Sequence, residues 1–191
     1  KTIGNGAFNN NKLPDDQAFI YQTVNGVPNK EVLISYGGAN KEVEIPSNVT
    51  VINNGAFRYN SITSVVIPNG VTEIGNDAFR SNKLTNVTIP NTVTRIGAYA
   101  FWGNLLDTAN LNVGLKIIET LAFASNKIQN LTIPDGVTTI GNYCFERNTM
   151  KTLSLPNTIT SLGLYTFYVN DLKSVDIPTN WTSTGNGTFR N

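Results

Sequence analysis

Apolar residues in this chain return in one register. Phe57, Phe79, Phe101, Phe123, Phe145, Phe167 and Phe189 stand at a fixed step of 22 residues, each within a variant of Ile-Gly-x-x-Ala-Phe. A polar column follows close behind, as Asn60, Asn82, Asn104, Asn126, Asn148 and Asn170, and then an apolar one, as Ile62, Leu84, Leu106, Ile128, Met150 and Leu172. Next comes a Val-x-Ile-Pro run, such as Val87, Thr88, Ile89 and Pro90, before Val-Thr-x-Ile-Gly leads into the next Phe. Alternation of apolar and polar positions makes each Val-x-Ile run a very short strand with its apolar side inward, stopped by proline. A unit this short cannot bury its own apolar face, so the copies must stack and share one continuous core, which makes the chain a solenoid.

Stacking gives each column a physical task. Column mates lie about 4.8 Å apart, so the Phe rings pack along the axis, and Phe79→Ala should cost roughly 3 to 5 kcal/mol. An Asn in a repeated turn can donate to and accept from the backbone of its own bend and of neighbouring coils. The Gly after each Ile, at Gly75, Gly97, Gly141 and Gly163, suits a bend with positive φ or a close backbone approach.

Two segments depart from the repeat. Phe8 and Phe57 are 49 residues apart, which is 22 plus 27, and the extra stretch lies between Leu13 and Val43. Phe19 to Val24 and Val32 to Tyr36 are rich in β-branched and aromatic residues, with turn formers between them at Asn25-Gly26 and Pro28-Asn29. They read as a β-hairpin with a somewhat longer loop, placed to shield the open edge of the first coil. In the coil from Phe101 to Phe123, Asn112 replaces the Pro, Lys116 the Thr and Glu119 the Gly, while Leu106, Leu111, Leu115 and Ile118 keep the apolar columns. That coil should form with altered bends.

The pattern Asn-x-Leu-x-x-Val-x-Ile-Pro-x-x-Val-x-x-Ile-Gly-x-x-Ala-Phe resembles the leucine-rich repeats of the BspA type, found in treponemal surface proteins and in secreted or wall-attached proteins of Gram-positive bacteria. The resemblance covers nearly the whole chain. It implies a right-handed leucine-rich-repeat solenoid, β-rich with little helix, in which residues 1–191 form one domain. Residues 14–42 would be a β-hairpin insertion or N-terminal cap, and residues 43–191 the regular repeats. Similar hairpins stand at the start of many such arrays. The implied role is adhesion, with a host or neighbouring-cell macromolecule as ligand; a structural spacer or an accessory module of a larger secreted hydrolase is the alternative.

Composition narrows the chemistry. A net charge of +1 with only 14% charged residues argues against nucleic acid, whose phosphates need clustered Lys and Arg. No apolar run approaches the roughly 20 residues of a transmembrane helix. The chain begins inside a repeat and ends just after Phe189, so it reads as a piece of a longer secreted or surface protein with flanking domains. With no His, the Ser-His-Asp and Cys-His arrangements and histidine metal sites are excluded. No phosphate-cradling Gly motif is present, and no cofactor is expected. The single Cys144 fills a column otherwise held by Ala56, Ala78, Ala100, Ala122 and Thr166, so it reads as a structural thiol.

Binding candidates lie on two surfaces. The outward positions of the Val-x-Ile strands, the concave sheet if the resemblance holds, are Ser64 and Val66, Asn86 and Thr88, Thr108 and Asn110, Asn130 and Thr132, and Thr152 and Ser154. These short, mostly uncharged groups, flanked by Glu42 and Glu44 at one end and Asp176 at the other, could hydrogen-bond an extended protein or glycan, and equally describe an inert solvated sheet. The second candidate is aromatic. Tyr99, Tyr143 and Tyr165 share one register and Trp102 and Tyr168 another, interrupted by Asp77, Leu121, Ala124 and Glu146; such rings present large area at low entropy cost, or simply shield the core. A Thr column at Thr50, Thr72, Thr94, Thr138, Thr160 and Thr182, broken by Lys116, is similar to the arrays of ice-binding solenoids in one column only.

Overall fold

The computed structural model describes residues 2–181 and 186–190. After a short 3-10 turn at Asp15–Gln17, strands β1 (Phe19–Val24) and β2 (Val27–Tyr36) form an antiparallel hairpin. Each coil then contributes two short strands. The three-residue strands are β3 (Glu42–Glu44), β5 (Ser64–Val66), β7 (Asn86–Thr88), β9 (Thr108–Asn110), β11 (Asn130–Thr132) and β13 (Thr152–Ser154). Between them come the two-residue strands β4 (Val51–Ile52), β6 (Glu73–Ile74), β8 (Arg95–Ile96), β10 (Ile117–Ile118), β12 (Thr139–Ile140) and β14 (Ser161–Leu162). This is a leucine-rich-repeat solenoid, rich in short strands and nearly without helix.

The long ladder does not run where the alternation of Val-x-Ile points. The Val-x-Ile strands form, but they pair only two by two, β3 with β5, β7 with β9 and β11 with β13. The x-Ile-Gly segments instead build one sheet in the order β1-β2-β4-β6-β8-β10-β12-β14, parallel from β2 onward. Packing explains the difference. Ile52, Ile74, Ile96 and Ile118 are completely buried, and the following Gly lets successive coils draw together. A Cβ on Gly97 would lie 2.6 Å from the backbone nitrogen of Asn76. Thr hydroxyls reinforce the same wall: Thr72 donates to the Thr50 carbonyl at 3.3 Å and Thr94 to that of Thr72 at 3.4 Å. The hydroxyls of the Thr column are thus engaged along the axis; Thr182 lies outside the described residues.

The interior carries a stack of parallel rings. Centroid spacing runs from 4.9 Å for Phe57 and Phe79 to 5.7 Å for Phe145 and Phe167, and reaches Phe189 at 5.5 Å from Phe167. This is slightly wider than the backbone spacing, as offset-stacked rings prefer. Toward the N-terminus the stack continues through the hairpin: Tyr36 lies 5.3 Å from Phe57 and Phe19 5.2 Å from Tyr36. Phe8, the residue in the repeat's own register, is only half-buried and outside the stack. The hairpin therefore supplies the first seats of the core, and its strand β2 the first parallel rung of the sheet. Its connection is shorter than the sequence implies, because Asn25 (φ 51°) and Gly26 (φ 81°) make a two-residue turn between Val24 and Val27, the Asn-Gly geometry that matches strand twist.

Beside the rings runs an amide ladder. In Asn82 the side-chain nitrogen donates to Phe57 O at 2.8 Å and Phe79 O at 2.9 Å, while its oxygen accepts from Ile62 N at 3.0 Å. Asn104, Asn126, Asn148 and Asn170 repeat the arrangement, each joining three backbone groups on two coils. These bonds satisfy polar groups that stacking would leave buried and unpaired.

Of the two roles open to the repeated glycines, the bends use one. Gly75, Gly97, Gly141 and Gly163 serve close approach alone, not positive φ. The left-handed positions come two residues later, at Asp77, Tyr99, Leu121, Tyr143 and Tyr165, and again at Tyr59, Ser81, Ser125, Arg147 and Val169. In the irregular coil, the buried Asn112 donates to Val93 O at 3.2 Å and accepts from Gly114 N at 2.6 Å, so its amide holds the bend that Pro holds elsewhere.

Candidate functional site

All ten predicted positions on the Val-x-Ile strands are exposed, and the alternate residues between them point inward. The ladder brings them together in pairs: Asn86 beside Thr108, Thr88 beside Asn110, Asn130 beside Thr152 and Thr132 beside Ser154, with Ser64 and Val66 beside Glu42 and Glu44. Some of their polar capacity is used internally, since Thr152 Oγ1 donates to Asn130 Oδ1 at 2.6 Å and Asn110 Nδ2 approaches Thr88 Oγ1 at 3.4 Å. Where pairing stops between β9 and β11, a groove of about 250 Å³ opens. It is lined by Thr108, Asn110, Asn130 and Thr132 above a floor of Ala109 and Leu111. The irregular coil forms one wall of this groove, with Leu111 turned partly outward and Asn112 in place of Pro.

The aromatic candidates fall into two clusters. The Arg80 guanidinium lies 5.0 Å from the Tyr99 ring centre and 4.8 Å from that of Trp102, and it pairs with Asp77 at 2.8 Å. Further along, Tyr143 and Tyr165 stack at 5.1 Å and Tyr165 meets Tyr168 edge-on at 5.4 Å. Leu121 and Ala124 separate the two, and every ring is half-buried. The rings therefore spend much of their surface on one another and on Arg80, as cation–π and offset-stacked pairs do.

A second concavity is one that the repeat pattern does not signal. A groove of about 550 Å³ lies where the N-terminal segment packs against the first bends, between Asn5, Asn10, Asn54, Arg58, Tyr59 and Asp77. Arg58 lies over the Tyr59 ring at 4.7 Å and donates to its hydroxyl at 3.1 Å. That hydrogen bond and the Arg58 charge, with Arg80 beyond, pull the Tyr59 phenol below its ordinary pKa. The signal in the sequence is slight: Arg58-Tyr59 sits in the bend after Phe57, but nothing in the repeat shows that residues 5–10 fold back onto it.

Cys144 is completely buried and burial pushes its thiol well up, so it takes the structural role expected of it. Among the described residues no group of His, Cys, Asp and Glu side chains is placed to hold a metal ion, and no helix is long and apolar enough to cross a membrane.

A leucine-rich cell surface protein from Faecalibacterium prausnitzii superposes with a TM-score of 0.74 at 25% identity, over 92% of this chain and 51% of that one. The chain thus spans about half the length of that protein. The leucine-rich repeat protein of T. pallidum gives a TM-score of 0.53 at 22% identity, over 87% of this chain and 72% of that one. One from Eubacterium ventriosum gives 0.53 at 22%, over 78% and 40%; these two speak to the fold alone. No curated protein matches the sequence significantly. The profile of the BspA type leucine-rich repeat region matches residues 1–106, 33–148 and 94–191. Together with the coil geometry, this places the chain in the BspA type leucine-rich repeat family.

Proposed function

We propose that this chain is a non-catalytic binding module of a secreted or cell-surface bacterial protein, and that it recognises an extracellular macromolecule, a protein in the first instance, through the Val-x-Ile face. The observation that carries this reading is the groove between β9 and β11. There the ladder is interrupted, and exposed hydroxyl and amide groups flank a small apolar floor. An extended segment laid in it would meet hydrogen-bonding groups on both sides and apolar contact beneath, the combination that peptide-binding grooves use. Family membership and the surface setting of the F. prausnitzii relative support the same reading.

The test is a binding screen against extracellular matrix proteins, serum proteins and a glycan array, run beside a folded Thr88→Lys/Asn110→Lys/Thr132→Lys variant. Saturable binding that the variant loses supports the module and locates its face. A spacer that carries a neighbouring domain outward would be indifferent to all three changes.

A further inference from the structure

The groove at the N-terminal bends has a chemistry distinct from the Val-x-Ile face. Its polar groups are short of partners. Asn54 uses its side-chain oxygen on Asn76 N at 2.8 Å, which leaves its amide hydrogens free among the described residues. Asn5 donates to Asn53 Oδ1 at 3.3 Å and keeps its own oxygen open. Asn10 hydrogen-bonds Asn60 through its backbone only, at 2.7 Å, so its whole side-chain amide is open. Between them these amides keep donors (Asn54, Asn10) and acceptors (Asn5, Asn10) unspent, which suits vicinal hydroxyls, since these also donate and accept.

Charge and shape narrow the ligand further. Asp77 is neutralised by Arg80, whereas Arg58 has no carboxylate partner among the described residues. The groove therefore holds one uncompensated guanidinium; its Nε is buried and its Nη2 donates to the Tyr59 hydroxyl, which leaves the Nη1 end of the fork to meet a carboxylate. Tyr59 is 51% exposed and carries Arg58 against its ring, so an apolar surface borders the charge. At about 550 Å³ the space falls within the range of small-ligand sites.

The geometry points to a binding site for a carboxylate-bearing sugar, with the carboxylate on Arg58, ring hydroxyls on Asn5, Asn10 and Asn54, and the sugar's apolar edge against Tyr59. A uronic acid has these groups on one compact ring. This site lies on the bends after the x-Ile-Gly ladder, and it stands or falls independently of the Val-x-Ile face.

The experiment titrates the protein with methyl glucuronide, its neutral twin methyl glucoside, and acetate, by calorimetry and saturation-transfer NMR at low salt. Methyl glucuronide should bind saturably and at least about tenfold more tightly than either control, because only it offers both charge and hydroxyls. Arg58→Gln should weaken it about tenfold or more. Asn10→Gly changes a side chain without partners among the described residues and suits the positive φ of 59°, so it should weaken binding while the fold is unaffected. Tyr59→Asn, equally suited to φ 60°, should do the same. Thr132→Lys, on the other face, should change nothing. Absence of saturable glucuronide binding by the folded protein, an equal affinity for methyl glucoside or acetate, or binding that survives both Arg58→Gln and Asn10→Gly would overturn the assignment.

Discussion

Asn104 and Phe79 are joined across one coil boundary by a 3.0 Å hydrogen bond from the side-chain amide to the backbone carbonyl, and both residues are buried. The same amide donates to Phe101 O at 3.0 Å and accepts from Leu84 N at 3.2 Å. One side chain thus does for three backbone groups what a regular ladder cannot do at a bend. The stability of the stack depends on it as much as on the rings.

Asn104→Ala should destabilise the fold by about 3 to 5 kcal/mol, since three buried groups lose their partner and each orphan costs about 1 to 3 kcal/mol, reduced where water or relaxation compensates. Asn104→Asp should be at least as damaging although it is nearly isosteric, because it sets an oxygen against two carbonyls. Urea titration of both variants checks this, and an Asp variant close to the parent would contradict the donor role of the amide.

Leu121 and Gly141 invert the usual expectation about glycine. Leu121 adopts φ 58° and pays for it in backbone strain, whereas Gly141 has no positive φ but sits where a Cβ would lie 2.4 Å from Thr120 N. Leu121→Gly should therefore leave stability within about 1 kcal/mol of the parent, as relief of strain offsets lost contact. Gly141→Ala should cost about 2 kcal/mol or more by forcing two coils apart. Thermal melts of the two variants would show the order, and a harmless Gly141→Ala would contradict the close packing of the coils.

Alkaline conditions should weaken the N-terminal end of the core. Burial, and secondarily the Asp15 charge, raise the Tyr36 pKa, and burial raises that of Tyr21. The folded chain then holds these protons to higher pH than the unfolded chain. Their contribution is complete below the unfolded value of about 10 and is lost as pH rises through the folded values. Tyr59, held down by Arg58, acts in the opposite sense. The urea midpoint should fall as the pH rises past about 10, and fall less in Tyr36→Phe. That variant should also lose about 1 kcal/mol at neutral pH with the 3.1 Å bond to Asn40 O. An unchanged alkaline slope in Tyr36→Phe would remove this tyrosine from the account.

Cys144 should resist thiol reagents in the native protein at pH 8 and react fully in denaturant, because burial both blocks access and disfavours the thiolate. Cys144→Ala should cost no more than about 1 kcal/mol, since Ala occupies this column in most coils. Rapid native-state labelling would show that the coil opens here.

Sequence alone determined that the coils stack and which residues make up each column. A step of 22 residues with Phe, Asn and Ile held in register leaves stacked coils as the way to bury each face, and it identifies the ring column, the amide column and the outward strand positions. Tertiary structure decided what depends on how coils meet or on segments outside the repeat. The long ladder lies on the x-Ile-Gly wall because close approach there depends on neighbouring backbones. Tyr36 rather than Phe8 seats against Phe57 because the hairpin's placement is set by pairing of β2 with β4. The groove around Arg58 joins residues some 50 positions apart in the chain, and no local pattern encodes such a meeting. Periodic contacts are written in every copy of the unit, whereas a contact made once depends on the whole fold to bring its partners together.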